Sequence, residues 1–196
     1  MAAKSHSGGS KNFKIVLNSP VILTFSLFCI ISLFLSWVTK GTTNELFFSV
    51  YRSSLANPLT YVRFFGHVIG HANLSHLVNN LMLILVLGPL LEEKYGSKCL
   101  LFVMIVTAAI TGIAFYIFFP SSSLCGASGI VFAFILLASI TGFRDREIPL
   151  TFILVAILYL GQQVYEGIFV ADNVSQLTHI IGGIVGSVIG YKLQKK

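Results

Sequence analysis

The residues whose chemistry stands out are a serine between glycines, in Gly126-Ala127-Ser128-Gly129, and a histidine ahead of three glycines, His179 with Gly182, Gly183 and Gly186. A serine hydroxyl becomes a useful nucleophile when an adjacent base takes its proton, and neutral imidazole is suited to that task. Two further polar residues, His76 and Asn80, are spaced i, i+4 and so share a helix face. Both can donate to an oxyanion, beside the backbone N–H of Ser128 itself. A nucleophile, a base and a set of oxyanion donors are the equipment for acyl transfer. The acids Glu45, Glu166 and Asp172 lie outside the apolar segments that carry these residues. The reading is therefore a Ser–His dyad.

Each residue also has a structural explanation when taken alone. Gly-Ala-Ser-Gly is a common packing surface between membrane helices, and a His/Asn pair can act as interhelical glue worth about 0.6 kcal/mol. A lone histidine can simply bond a backbone carbonyl. The choice between these explanations and chemistry depends on where the surrounding elements put the four side chains.

Composition identifies those elements. Of 196 residues, 55% are hydrophobic and 10% charged, with a mean hydropathy of +0.86, against about 25% charged in soluble domains. This predicts an all-α, polytopic membrane protein with no room for a large soluble domain. The net charge of +6 does not point to nucleic acid, because the cations flank apolar runs as topology signals do. Cys29, Cys99 and Cys125 show no paired spacing and indicate neither a disulfide framework nor a zinc site.

The apolar runs divide into six spans: Val21–Val38, Leu74–Leu91, Cys99–Phe119, Ala127–Phe143, Ile148–Tyr165 and Gln176–Tyr191. The third and fourth come from one uncharged run, Cys99 to Phe143, too long for a single crossing of about 20 residues. The break falls at Phe119-Pro120-Ser121-Ser122-Ser123, which puts Ser128 at a helix N-terminus with unpaired backbone N–H groups nearby. Residues 1–14 read as a polar tail, 15–193 as the six-span domain and 194–196 as a second tail. Between spans 1 and 2, Gly41–Asn73 is rich in aromatics and reads as a structured segment at the membrane interface. Glu92 to Lys98 reads as a polar link.

Six spans put both termini on one side. Lys4, Lys11, Lys14, Lys94, Lys98, Arg144, Arg146, Lys192, Lys195 and Lys196 share that side, and only Lys40, Arg52 and Arg63 face the other. The positive-inside rule makes the first side cytoplasmic. His76, Asn80, Ser128 and His179 then all sit near the outer ends of spans 2, 4 and 6. Coincidence at one depth favours chemistry, since intramembrane polar residues are costly and mark function by default. Glycines lining span 6 would let span 4 approach closely enough to bring Ser128 to His179. Ser121–Ser123, Asn73, Ser75, Ser175, Thr178 and the pair Gln162-Gln163 are expected to line a hydrophilic pocket on the same side.

A metal site is the competing chemistry. His67 and His71 have the i, i+4 spacing of a zinc protease motif, but Val68 stands where the glutamate base belongs. No metal and no cofactor are expected. The two histidines are expected to hold the outer loop against span 2.

Taken together, Arg63, His67, His71, His76, Asn80, Glu92 with Gly96, the Gly126–Gly129 motif and His179 with Gly182 and Gly186 resemble the rhomboid intramembrane serine proteases over roughly residues 60–190. The resemblance implies a six-transmembrane-helix, rhomboid-like bundle of the basic bacterial form, in a plasma membrane. Ser128 and His179 would be nucleophile and base, and His76, Asn80 and the Ser128 N–H the oxyanion donors. The partners would be the lipid bilayer and transmembrane protein substrates, cut near their outer ends. Phe132 stands where many members have a tyrosine packed on the histidine, and Val62 where many have tryptophan. The alternative from a different class is a silent rhomboid-like protein that escorts membrane clients; the presence of both Ser128 and His179 favours the enzyme.

Overall fold

The computed structural model describes residues 15–140, scattered positions between 148 and 161, and residues 173–194. Its elements are α1 (Pro20–Val38), α2 (Thr42–Phe47), β1 (Val50–Tyr51), α3 (Pro58–Gly66), α4 (Leu74–Tyr95), α5 (Ser97–Phe118), β2 (Ser123–Leu124), α6 (Ser128–Ile140) and α7 (Asn173–Gln194). Three helices, α1, α4 and α5, are long and apolar enough to cross a membrane, and α6 is a shorter apolar helix. Part of the predicted fifth span, including Gln162 and Gln163, lies outside the described residues, as do the acids Glu166 and Asp172.

Helix starts follow local chemistry where the local residues suffice. Asn57 caps α3 by accepting from the Leu59 N–H at 3.0 Å, with Pro58 at the first helical position. Asn73 caps α4 by accepting from the His76 N–H at 2.8 Å. α1 is different. Pro20 has no N–H to satisfy, and Ser19 provides no side-chain cap. The next two donors, Val21 N–H and Ile22 N–H, instead reach the Glu92 carboxylate of α4 at 3.0 and 3.1 Å. The Ser97 hydroxyl donates to the same carboxylate at 2.7 Å.

This corrects the expectation of a polar link at Glu92–Lys98. Glu92 is inside α4 and only 4% exposed. The reversal into α5 takes the single residue Gly96, at φ +81°, a conformation glycine adopts without steric cost. One buried carboxylate thus ties the starts of α1 and α5 to the end of α4.

The core runs through the middle of the bundle, with Ile22, Cys29, Ile84, Leu100, Val103, Ile130 and Phe134 among its buried side chains. The outward faces stay apolar: Phe34 and Val38 of α1, Met82 and Val86 of α4, and Phe102 and Ile117 of α5 are exposed. That pattern fits helices whose solvent is lipid. In α5, Thr107 and Thr111 satisfy their hydroxyls on carbonyls of their own helix, at 2.8 and 2.7 Å.

The segment between α1 and α4 is folded, as its aromatics suggest. Its hub is Arg63, 1% exposed. Its guanidinium donates to the Leu46 carbonyl, the Tyr51 hydroxyl, Ser53 Oγ and Thr60 Oγ1, at 3.3, 3.0, 2.9 and 3.3 Å. It also stacks 4.4 Å over the Tyr51 ring. Tyr51 belongs to β1, which pairs antiparallel with β2 through Val50–Leu124 and Tyr51–Ser123. The two-residue ribbon connects this folded segment to the turn that precedes α6.

Candidate active site

Ser128 is the first residue of α6. The turn that delivers it is pinned by the β1–β2 pair and by the Gly126 N–H, which donates to the His67 carbonyl at 2.8 Å. Gly126 has φ +135°, a region that L side chains rarely adopt. It also has no room for one. A Cβ at this position would stand 2.6 Å from His76 Cε1, 2.7 Å from His76 Nε2 and 3.8 Å from Asn80 Nδ2. His76 and Asn80 therefore border the turn two residues ahead of Ser128.

Asn80 is 6% exposed, and its Nδ2 has no hydrogen-bond partner among the described residues. A buried amide donor without a partner costs about 1–3 kcal/mol. A spare donor beside a candidate nucleophile suits a developing oxyanion.

α7 closes the other flank. A Cβ at Gly182 would overlap the Gly129 carbonyl oxygen and stand 2.9 Å from its carbon and 3.0 Å from its Cα. At Gly186 it would meet Ala133 in the same way, 2.7 Å from Cα and 2.8 Å from the carbonyl carbon. At Gly190 the neighbour is only a side chain, Leu137 Cδ1 at 2.9 Å. Small residues on one helix let two backbones approach this closely, and α6 on α7 is the most extensive helix pairing described. The line that meets α6 is Gly182–Gly186–Gly190; Gly183 is buried one residue off it.

Phe132, one turn beyond Ser128 on α6, lies against His179, with ring centroids 4.3 Å apart and tilted by 44°. His76, Ser128, Phe132 and His179 are all half-buried. The start of α6 is thus framed by His76 and Asn80 of α4 on one side, and by His179 and Gly182 of α7 on the other.

His67 and His71 are engaged separately. His67 is 1% exposed, with Nδ1 3.3 Å from the Arg63 carbonyl and Nε2 3.3 Å from Thr111 Oγ1. It holds the loop to α5, the third predicted span, whereas the sequence suggested the second. His71 does reach α4: its ring lies 5.1 Å from that of His76, and its Nδ1 is 3.1 Å from the Ile69 carbonyl. Burial pulls His67 down to about 4. Burial, reinforced by the His76 charge, does the same to His71. Both rings are neutral at neutral pH. Burial pushes the Cys125 thiol up, against Asn44, which donates to its sulfur at 3.6 Å.

Of the residues expected to line a hydrophilic pocket, Asn73, Ser75, Ser121 and Ser123 are exposed and Ser122 is half-buried, but Thr178 is buried. A polar cavity of about 400 Å³, lined by Asn44, Glu45, Ser49, Tyr51 and Ser123 among others, lies beside the β-ribbon. Gln176 of α7 is a further buried polar residue, one turn ahead of His179. It is 8% exposed, and its Oε1 has no partner among the described residues. Its spacing of three from His179 was the available signal, since i and i+3 share a face.

A family model of the rhomboid domain matches residues 58–196. The chain belongs to the rhomboid family. It is an integral membrane protein with apolar helices. The rhomboid chain is 34% identical over 158 residues to mouse rhomboid-related protein 2, a match covering 70% of this chain and 52% of that protein. It is 30% identical over 141 residues to rhomboid-related protein 1 of Caenorhabditis elegans, covering 66% and 39%. With the rhomboid protease GlpG of Yersinia pestis it shares 24% identity over 176 residues, covering 88% and 62%. The rhomboid chain spans between about two fifths and three fifths of the length of these relatives.

Proposed function

We propose that this rhomboid family member is an intramembrane serine endopeptidase that hydrolyses peptide bonds in or near the transmembrane segments of other membrane proteins. The observation that carries the reading is the framing of Ser128: the two glycines around it abut His76 on α4 and Gly182 on α7, and Phe132 seats the His179 ring one turn away. The relative named as a rhomboid protease supports the same chemistry.

In this mechanism His179 accepts the Ser128 proton as Oγ bonds to the substrate carbonyl carbon. The carbonyl oxygen becomes an oxyanion, stabilised by the Ser128 N–H, His76 and Asn80. His179 then gives its proton to the leaving amine, and the acyl-enzyme remains. Water, deprotonated by His179, attacks the acyl carbon; the acyl–Oγ bond then breaks and Ser128 Oγ takes the proton back from His179. Gly126, Gly129, Gly182, Gly183 and Gly186 support the site by permitting close approach, and Phe132 orients the base. The full reading includes six spans, both termini in the cytoplasm of a bacterial cell and the site toward the extracytoplasmic side. Its support is the skew of Lys and Arg among the predicted loops.

The test is cleavage of a single-span substrate by the purified full chain in detergent. Wild type is expected to cut. Ser128→Ala and His179→Ala are expected to be folded and silent, while His76→Ala and Asn80→Ala each lose about 10²–10³ in rate. A folded wild type that cuts nothing across a broad substrate panel, or a Ser128→Ala variant that still cuts, overturns the reading.

A further inference from the structure

A cavity of about 470 Å³ lies between α1 and α5, and the function proposed above does not use it. Thr24 and Phe28 of α1 form one wall, and Leu101 and Ile105 of α5 the other. Thr24 is the one polar side chain among its lining residues. Phe65 and Ile69, from the end of α3 and the loop beyond it, roof the cavity. The roof is fixed to α5 just above: a Cβ on Gly112 would overlap the Phe64 carbonyl oxygen and stand 3.0 Å from the Phe64 Cα.

The polar end of this groove is defined by Glu92, which bonds Val21 and Ile22 at the start of α1 and Ser97 at the start of α5. Both helices therefore begin at the same level. Lys98 follows Ser97, is exposed, and stands at i−3 and i−7 from Leu101 and Ile105. It is on the stripe of α5 that lines the groove. From Lys98 to Ala108, the last α5 residue of the lining, the rise is about 15 Å. That is half of a hydrocarbon core about 30 Å thick.

An apolar channel one leaflet deep, open sideways between two candidate spans, with a cation at its polar end and a roof at its apolar end, has the shape and charge of a lipid site. We infer that the groove between α1 and α5 binds one acyl chain of an anionic glycerophospholipid, with Lys98 at the headgroup phosphate and α3 capping the chain terminus. The lipid then fills space that α1, α3 and α5 leave open, and supports α3 from below. The inference does not rest on the proposed protease activity, because neither Ser128 nor His179 lines the groove.

The experiment is native mass spectrometry of the full chain in detergent, titrated with dioleoyl phosphatidylglycerol or dioleoyl phosphatidylcholine. Wild type should hold one phosphatidylglycerol per chain and prefer it over phosphatidylcholine. Lys98→Glu should lose that preference, with phosphatidylglycerol bound at least about fivefold more weakly. Thr24→Trp and Ile105→Trp fill the groove from exposed positions and should abolish the tight lipid while keeping wild-type helicity and melting midpoint. Unchanged lipid stoichiometry in both tryptophan variants, or equal affinity for the two lipids in wild type, overturns the inference. A dimer mass that Thr24→Trp removes gives the groove to a second copy of the chain, and also overturns it.

Discussion

Replacing Gly182 with alanine tests the packing on which the candidate site depends. The added Cβ lands on backbone: 2.9 Å from the Gly129 carbonyl carbon and 3.0 Å from its Cα. Carbon pairs prefer separations of about 3.5–4.0 Å, so α6 and α7 must part by about 0.5–1 Å. Neither partner can rotate away, because both atoms belong to the main chain of α6. Overpacking of this kind costs about 1–3 kcal/mol. His179 is three residues from Gly182 on the same helix and moves with it. A displacement near 1 Å between a nucleophile and its base costs about 10²-fold in rate.

Gly190→Ala is the matched control. Its Cβ meets Leu137 Cδ1 at 2.9 Å and Ile140 Cγ2 at 3.4 Å, both ends of side chains that can turn. The alanine also gains up to about 1 kcal/mol of helix propensity, so its net effect should be within about 1 kcal/mol of zero. The assay is unfolding in an SDS titration for stability, with cleavage of a single-span substrate for activity. Gly182→Ala should unfold at lower SDS than Gly190→Ala and cut about 10²-fold more slowly. Equal stability and equal rates in the two variants would refute the backbone-to-backbone contact of α6 and α7.

Two further predictions concern the scaffold. Glu92→Ala strands two buried N–H groups at the start of α1, at about 1–3 kcal/mol each, and should lower the SDS midpoint strongly; Glu92→Gln, which keeps one acceptor oxygen but turns an NH₂ toward the other donor, should fall between it and wild type, and a wild-type midpoint for both would dismiss the carboxylate as the cap of α1. His67, held near 4 by burial against an ordinary value of 6.5, takes up its proton in the unfolded chain before the folded one, so stability should be level above about pH 6.5 and fall as the pH drops toward 4. The total loss at His67 is about 3 kcal/mol. His67→Gln should reduce that slope in a melting-midpoint series from pH 4 to 8, leaving the part due to His71, and an unaltered slope would assign the loss to other groups.

What could be read from the sequence was whatever depends on periodicity and local chemistry. The apolar runs gave α1, α4 and α5 to within a few residues. The Phe119–Ser123 break correctly preceded a helix that begins at Ser128. The glycines of the last helix announced a close neighbour. Glu92 could not be read in this way. A glutamate beside Glu93 and Lys94 looks like a solvated turn, and only the arrival of α1 in space makes it a buried cap. The β-ribbon was equally hidden, because each strand has two residues and pairs across a separation of more than seventy. Gln176 resembles an ordinary helix-start residue in the sequence, and only its burial sets it apart.

Charge and polarity are divided between scaffold and site in a way that suits a membrane. Two buried side chains that hold the scaffold, Arg63 and Glu92, spend their hydrogen bonds on backbone carbonyls, backbone amides and hydroxyls. The candidate site uses serine, asparagine and histidine, none of which carries an obligatory charge. An ionised side chain in the bilayer core costs at least about 2.5–3.5 kcal/mol. A serine activated by a permanently charged partner would carry that cost through every resting moment of the cycle. A dyad of neutral groups develops charge only as the tetrahedral intermediate forms, and then against donors already in place. Under the proposed function, a dyad of this kind keeps the site free of a permanent charge between turnovers. Phe132 lies against the His179 imidazole and Gly182 against the α6 backbone, and in the proposed mechanism these two contacts orient the base.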